Sequence, residues 1–248
     1  LVQGLLDIAG QAASLAGVEL EPRARTAERL DALVARARPR LRPGEGLARR
    51  LNRLVFDELG LRATGADGDP LADSLLPRVL ATRRGNCLGL GAVYLALGER
   101  LDLPVVGVVL PGHFVVRVRE HGRSTDLELL ERGKVVAAAQ YRERHQVPGG
   151  NQLYLRGLTV RETLAVHRYN LANGLLQRGE LRPALRQFRR VVEALRRFAE
   201  AQMNLGITLQ RLRDYPGAER AYLRARAANP GQPGLEHNLA ALRRERRQ

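Results

Sequence analysis

Cysteine, methionine, lysine and aromatic residues are all scarce in this 248-residue chain. The single cysteine, Cys87, excludes an internal disulfide and any cysteine-rich zinc site. No apolar run approaches the roughly 20 residues needed to cross a bilayer, so no membrane span is expected. No basic segment, apolar stretch and small-residue cleavage site open the chain, so no signal peptide is visible. The first residue is Leu1. A cytoplasmic protein is the expectation, with an export segment ahead of Leu1 left open. ATP-, nicotinamide- and metal-binding motifs are missing, so no cofactor and no metal are expected. Acidic residues are outnumbered, 26 against 41 basic, for a net charge of +15. That excess invites a nucleic-acid reading, but the pattern opposes it. Lys134 is the only lysine, the arginines are spread along helical segments among Glu and Asp, and aromatics are only 4%. A spread of this kind is a solvated face, and no nucleic-acid partner is expected. The densest run, Arg243-Arg244-Glu245-Arg246-Arg247, reads as a helix end.

What remains is a globular composition, 44% apolar and 27% charged, long enough for one large domain or two small ones. Helical spacing runs through residues 2–17 (Leu5, Leu6, Ile8, Ala12) and through 26–38, with Thr26 as N-cap and Pro39 as the stop. Pro43-Gly44-Glu45-Gly46 is a loop, and a third helix spans 47–59 up to Gly60. A polar loop over 62–73 leads to a short helix at 74–82. The next helix, from Cys87, is apolar on nearly every side and should be deeply buried. Gly89 and Gly91 inside it suit either tight helix packing or close approach of a substrate. The period then becomes that of strands: 105–110 is continuously apolar, 113–119 alternates, and 124–130 returns after a turn at His121-Gly122. Residues 132–152 carry no clear period.

From about residue 160 the chain repeats. Asn170-Leu171-Ala172 recurs as Asn204-Leu205-Gly206 and Asn238-Leu239-Ala240, each 34 residues on. Ala184 and Ala218 share that step, as do Phe188 and Tyr222. This is the period of tetratricopeptide repeats, paired helices that bury their apolar faces only by stacking. Two repeats and a capping helix are expected over 160–248, docked on the rest through Leu171, Leu175 and their neighbours, with a protein or peptide as substrate or partner.

Cys87 follows Arg84-Gly85-Asn86, and His113 comes 26 residues later after Pro111-Gly112. A helix N-terminus has unpaired N–H groups and partial positive charge, which favour negative charge on a cysteine sulfur. A free cysteine in a buried helix is as often only a small apolar residue. If the hairpin turns at His121-Gly122, His113 faces Leu130 and has Glu128 as its diagonal neighbour, with Asp126 further along. A carboxylate orienting the imidazole would complete a Cys-His-acid arrangement. Glu128 is the first candidate and Asp126 the second; either acid could instead pair with Arg117 or Arg119.

The order turn, Cys, helix, strand, His, hairpin, acid resembles the transglutaminase-like branch of papain-type cysteine enzymes. FDELGLR (56–62), RRGNCLGLGAVYLALGERLDLPV (83–105), GVVLPGHFVVRV (107–118) and the C-terminal repeats resemble the bacterial SirB-like family more closely. That resemblance implies an α+β fold: a transglutaminase-like domain with a helical N-terminal part over 1–155, then an all-α repeat module. It also implies acyl transfer through Cys87, His113 and an acid. Members of the group often lack cysteine at the position of Cys87, and this chain keeps it. Many carry Asp-Pro-Phe-Asn-Gly-Gly where this chain reads Glu128-Leu129-Leu130-Glu131-Arg132-Gly133, and counting back from the glycine sets Glu128 on the family's acid. The competing expectation is a non-catalytic scaffold or regulatory interaction protein.

Overall fold

The computed structural model describes residues 1–41, 46–65 and 67–246. Positions 43–45 of the expected loop, and Arg247 of the basic run, lie outside the described residues.

Helix α1 (Val2–Ala16) buries Leu5, Ile8, Ala9 and Ala12 on one face and stops at Gly17, whose φ of 64° only glycine adopts easily. Helix α2 (Arg23–Ala37) starts three residues earlier than the sequence suggests. Extended Pro22 occupies the N-cap position, and its carbonyl accepts from the N–H groups of Arg25 and Thr26. Thr26 is therefore a buried position inside the helix and not its cap. Helix α3 (Leu47–Asn52) widens into a π-turn over Arg53–Glu58, closed by Leu59 N–H to Leu54 O at 2.9 Å. At the junction the Asn52 side chain donates to Gly133 O (2.6 Å) and accepts from Tyr94 Oη (2.7 Å). This bond ties α3 to the region after the hairpin.

Strands β1 (Arg62–Ala63) and β2 (Arg84–Gly85) form a short parallel pair around α4 (Leu76–Thr82). β2 feeds α5 (Cys87–Arg100), buried from Leu88 through Gly98. Its glycines answer to packing. A Cβ on Gly89 would overlap the Asp73 carbonyl, and one on Gly91 would sit 2.7 Å from the Phe114 ring.

Four antiparallel strands follow in chain order: β3 (Val105–Leu110), β4 (His113–Glu120), β5 (Arg123–Glu128) and β6 (Lys134–Val135). His121 and Gly122, at φ 49° and 75°, make the two-residue turn whose twist suits a hairpin. It sets Val116 opposite Leu127 and Arg117 opposite Asp126, the register read from the sequence. The unreadable stretch after β6 contains α6 (Ala138–Arg144).

The remainder is helical: α7 (Val160–Gln177), α8 (Leu181–Ala194), α9 (Ala199–Arg211), α10 (Tyr215–Ala228) and α11 (Leu235–Glu245). The 34-residue step has a packing basis. Ala184 and Ala218 are fully buried, as are Phe188 and Tyr222 at 0% and 1% exposure. A Cβ on Gly206 would meet the Tyr222 ring at 2.5 Å. Two apolar cores result. One joins α5 and the sheet to Val191, Leu195 and Phe198. The other joins Ile8, Ala9 and Ala12 of α1 and Leu71 to Leu171, Leu175 and the inner faces of α8–α11. The C-terminal helices thus share both cores with the rest of the chain. Among the described residues, no helix is long and apolar enough to cross a membrane.

Candidate active site

Cys87 is the first residue of α5 and is half-buried. Asn86 caps the helix: its Oδ1 accepts from Leu88 N–H (3.1 Å) and Gly89 N–H (3.0 Å). Its own Nδ2 donates to Pro70 O (2.9 Å), so the cap is held from behind. The Cys87 N–H is left free by this arrangement, as helix geometry leaves the first N–H groups. Sulfur and an unpaired N–H therefore stand together at the positive end of a helix.

His113 opens β4, directly after the Pro111-Gly112 turn, where Gly112 has a φ of 66°. Its Nε2 meets both Glu128 oxygens, at 2.8 and 3.0 Å. That occupies Nε2 and leaves Nδ1 for the thiol. Glu128 is 3% exposed and also accepts from Leu130 N–H (3.2 Å), capping the turn Leu129–Glu131. Burial by itself would lower the His113 pKa; hydrogen bonding to Cys87 and to Glu128, with their charges, outweighs it and raises the value from 6.5 to about 9. Burial works to raise the Glu128 pKa, but the bond to His113, the imidazolium charge and Leu130 N–H hold it below the ordinary carboxylate value. The cluster therefore favours an imidazolium beside a carboxylate at neutral pH.

Of the two candidate acids, only Glu128 touches His113. Asp126 is engaged across the ladder by Arg117 in a two-pronged pair at 2.6 and 2.8 Å. Arg117 also donates to Leu155 O (3.1 Å), so this pair braces the hairpin against the chain beyond it.

Two residues at the site escaped the sequence reading. The His145 ring stacks on that of His113, centroids 4.8 Å apart and planes 3° from parallel. His145 Nδ1–H donates to Pro111 O (3.3 Å), and the ring of fully buried Tyr141 lies near it, centroids 6.0 Å apart and tilted. Burial and the charge of His113 lower the His145 pKa, which favours the neutral ring. The four-residue spacing of Tyr141 and His145 was the available signal. Glu200, near the start of α9, reaches across from the C-terminal helices. It accepts from Gly112 N–H (3.1 Å) and from Tyr154 Oη–H (2.5 Å). Burial raises its pKa, against the pull of those two donors. A glutamate in the first turn of a repeat helix looks like an ordinary helix-end charge, and nothing in the sequence marks it out.

Cys87 and His113 face a cleft of about 290 Å³. Its other wall comes from the C-terminal part: Val166, Tyr169 and Asn173 of α7, with Phe198 and Glu200. Among the described residues, no cluster of three or more His, Cys, Asp or Glu side chains is placed to hold a metal ion.

A helix-borne cysteine beside a strand-borne histidine, on a mixed fold whose helix packs against an antiparallel sheet, is the frame of a transglutaminase-like protein. The family model described as "Transglutaminase-like superfamily" matches residues 24–165, and the chain belongs to that superfamily. Its curated relatives include UPF0162 proteins and a protein named SirB1. UPF0162 protein PA3419 of Pseudomonas aeruginosa is 33% identical over 180 residues, covering 71% of this chain and 64% of that protein. UPF0162 protein YchA of Escherichia coli is 35% identical over 92 residues, 37% of this chain and 34% of its own. Protein SirB1 of Salmonella typhimurium is 43% identical over 49 residues, 19% of this chain and 18% of its own. The chain thus spans just under two thirds of the Pseudomonas relative and about a third of the Escherichia one. None of these names states an activity. Among solved structures, the crystal structure of menin superposes with a TM-score of 0.46 at 12% identity, over 92% of this chain and 70% of that one.

Proposed function

We propose that the chain is a cysteine acyl-transfer enzyme in which Cys87 is the nucleophile, His113 the proton carrier and Glu128 the group that orients His113. One observation carries the reading: Glu128 holds Nε2 of His113 with both oxygens, leaving Nδ1 to the thiol at the mouth of a cleft. The Cys87 sulfur, as thiolate, attacks the carbonyl carbon of an amide or thioester. The oxyanion that forms lies within reach of the Cys87 N–H. His113 gives its proton to the leaving amine or thiol as the carbon–heteroatom bond breaks, and an acyl-thioester on Cys87 remains. Water or an amine then attacks, His113 takes its proton, and thiolate leaves. A protease or amidase results with water as acceptor, an amine transferase with an amine.

In this reading residues 1–155 are the transglutaminase-like domain and 160–248 two tetratricopeptide repeats with a capping helix. The repeats supply one wall of the cleft, which suits a peptide or protein substrate.

The test is p-nitrophenyl acetate as a generic acyl donor, followed at neutral pH. The expected result is a burst of one p-nitrophenolate per chain, with an acetyl group on Cys87 by mass spectrometry. Cys87→Ala should abolish the burst and His113→Ala should slow it by about 10²-fold or more, the usual worth of a general acid–base group. Added methylamine divides acetamide from acetate as product and so names the acceptor. No burst, or one that survives Cys87→Ala, sinks the enzyme reading and leaves the competing one, a non-catalytic scaffold.

A further inference from the structure

A concentration of unneutralised charge lies away from the cleft. A pocket of about 660 Å³ opens between the ends of α8 and α10 and the start of α9. Four exposed arginines line it, Arg189, Arg196, Arg197 and Arg224, against one carboxylate, Glu193. Among the described residues none of the four guanidinium groups has an ion-pair partner, and neither does Glu193. An arginine-rich chain will show such groups here and there on its surface. This pocket differs in its floor.

Gln202 lines the pocket at 2% exposure, and its Oε1 is buried with no hydrogen-bond partner. Its Nε2 is fixed by donating to Arg196 O (3.1 Å). Asn151, from the loop ahead of α7, donates to Arg197 O (2.9 Å) and Ala228 O (3.1 Å). Three backbone carbonyls around the pocket thus have donors, whereas the buried Gln202 Oε1 has none. A buried acceptor without a donor is costly and calls for one.

We infer that this pocket binds a short acidic peptide segment, with side-chain or terminal carboxylates on the arginines and a peptide N–H on Gln202 Oε1. A carboxylate meets guanidinium in paired, charge-assisted hydrogen bonds. A free phosphate offers the charge without an N–H beside it. A nucleic acid would want an aromatic side chain for its bases, and none lines the pocket. The site is independent of Cys87 chemistry and stands whether or not the acyl-transfer reading does.

Fluorescence anisotropy on the full chain tests it, with a labelled tetraglutamate peptide as probe. A tetraglutamine peptide, inorganic phosphate and a short single-stranded oligonucleotide are the comparators. The tetraglutamate should bind saturably and the tetraglutamine should not. Arg196→Gln with Arg224→Gln should weaken binding at least about tenfold, the worth of one or two charge-assisted hydrogen bonds. Gln202→Met should weaken it further in that background and also alone. Arg123→Gln with Arg142→Gln, two exposed arginines of the hairpin turn and α6, should change nothing. Equal loss in that control pair shows a non-specific charge effect and overturns the proposal. So does displacement of the peptide by phosphate or oligonucleotide at concentrations no higher than those of the peptide itself, or an undiminished affinity in Gln202→Met.

Discussion

Glu128→Gln keeps the size of the side chain and removes its charge, which makes it the sharpest probe of the cluster. The rise of the His113 pKa from 6.5 to about 9 corresponds to roughly 3 kcal/mol in favour of the imidazolium. Burial opposes that rise, so the hydrogen bonds and charges of Cys87 and Glu128 together supply more than the net value. Cys87 supplies the larger part of that and Glu128 the smaller, on the order of one pH unit. The His113 midpoint in Glu128→Gln should therefore fall by about one pH unit. Ring carbon–proton NMR across pH 5 to 10 reads it, with His113→Gln assigning the signal among the five histidines. Stability carries the same signature. His113 has a raised folded pKa, so its contribution is fully present below 6.5 and disappears as pH climbs through about 9. Glu128 has a lowered folded pKa, so its contribution is present above 4.5 and disappears as pH falls below that. The gap in unfolding free energy between wild type and Glu128→Gln should be widest between those limits and close on either side. A wild-type His113 that titrates near 6.5, or a midpoint indifferent to Glu128→Gln, refutes the reasoning.

His145 and Asp126 give two further expectations. His145→Phe keeps a flat ring against His113 and should alkylate with iodoacetamide at close to the wild-type rate at pH 7, whereas His145→Ala should slow alkylation of Cys87 several-fold; a Phe variant as slow as the Ala variant removes stacking as the role of this ring. Asp126→Asn strips the charge from a mostly buried pair, with side chains 6% and 16% exposed, and should cost about 3 kcal/mol or more in urea denaturation while leaving the His113 midpoint near 9; a shifted midpoint would tie Asp126 to the histidine after all.

The parts of the fold that were legible are those with a long period or a strict geometric rule. α5 and the sheet strands carry their pattern over six or more residues, and the hairpin register follows from one turn, His121-Gly122. That register brings Glu128 next to His113, although the β4–β5 ladder ends at Leu127 and the carboxylate arrives as the cap of the turn that follows. The illegible parts are short or depend on remote contacts. α6 has seven residues, too few to show a helical period, and so His145 was not seen. The start of α2 rests on Pro22 as an extended cap in place of the more usual Thr26. The π-turn in α3 leaves its apolar spacing almost unchanged and shows only in its hydrogen bonds.

The Pro111-Gly112 turn explains why the site could be read only in part. His113 follows it directly, so the direction of the imidazole depends on how the turn is held. One carbonyl of the turn takes a hydrogen bond from His145, and the next N–H gives one to Glu200. The first partner sits 34 residues on in an aperiodic stretch, the second 88 residues on in a repeat helix. Glu200 is in turn held by Tyr154, in the loop ahead of the helices. A chemistry-bearing pair that is local in sequence is therefore aimed by two groups that are not. Cys87 and His113 announce themselves by residue type, whereas the groups that fix the ring between them are an ordinary glutamate and a histidine in unreadable sequence. Buried Glu200, with its two donors, gives the C-terminal helices a direct hold on the histidine's turn as well as a wall of the cleft.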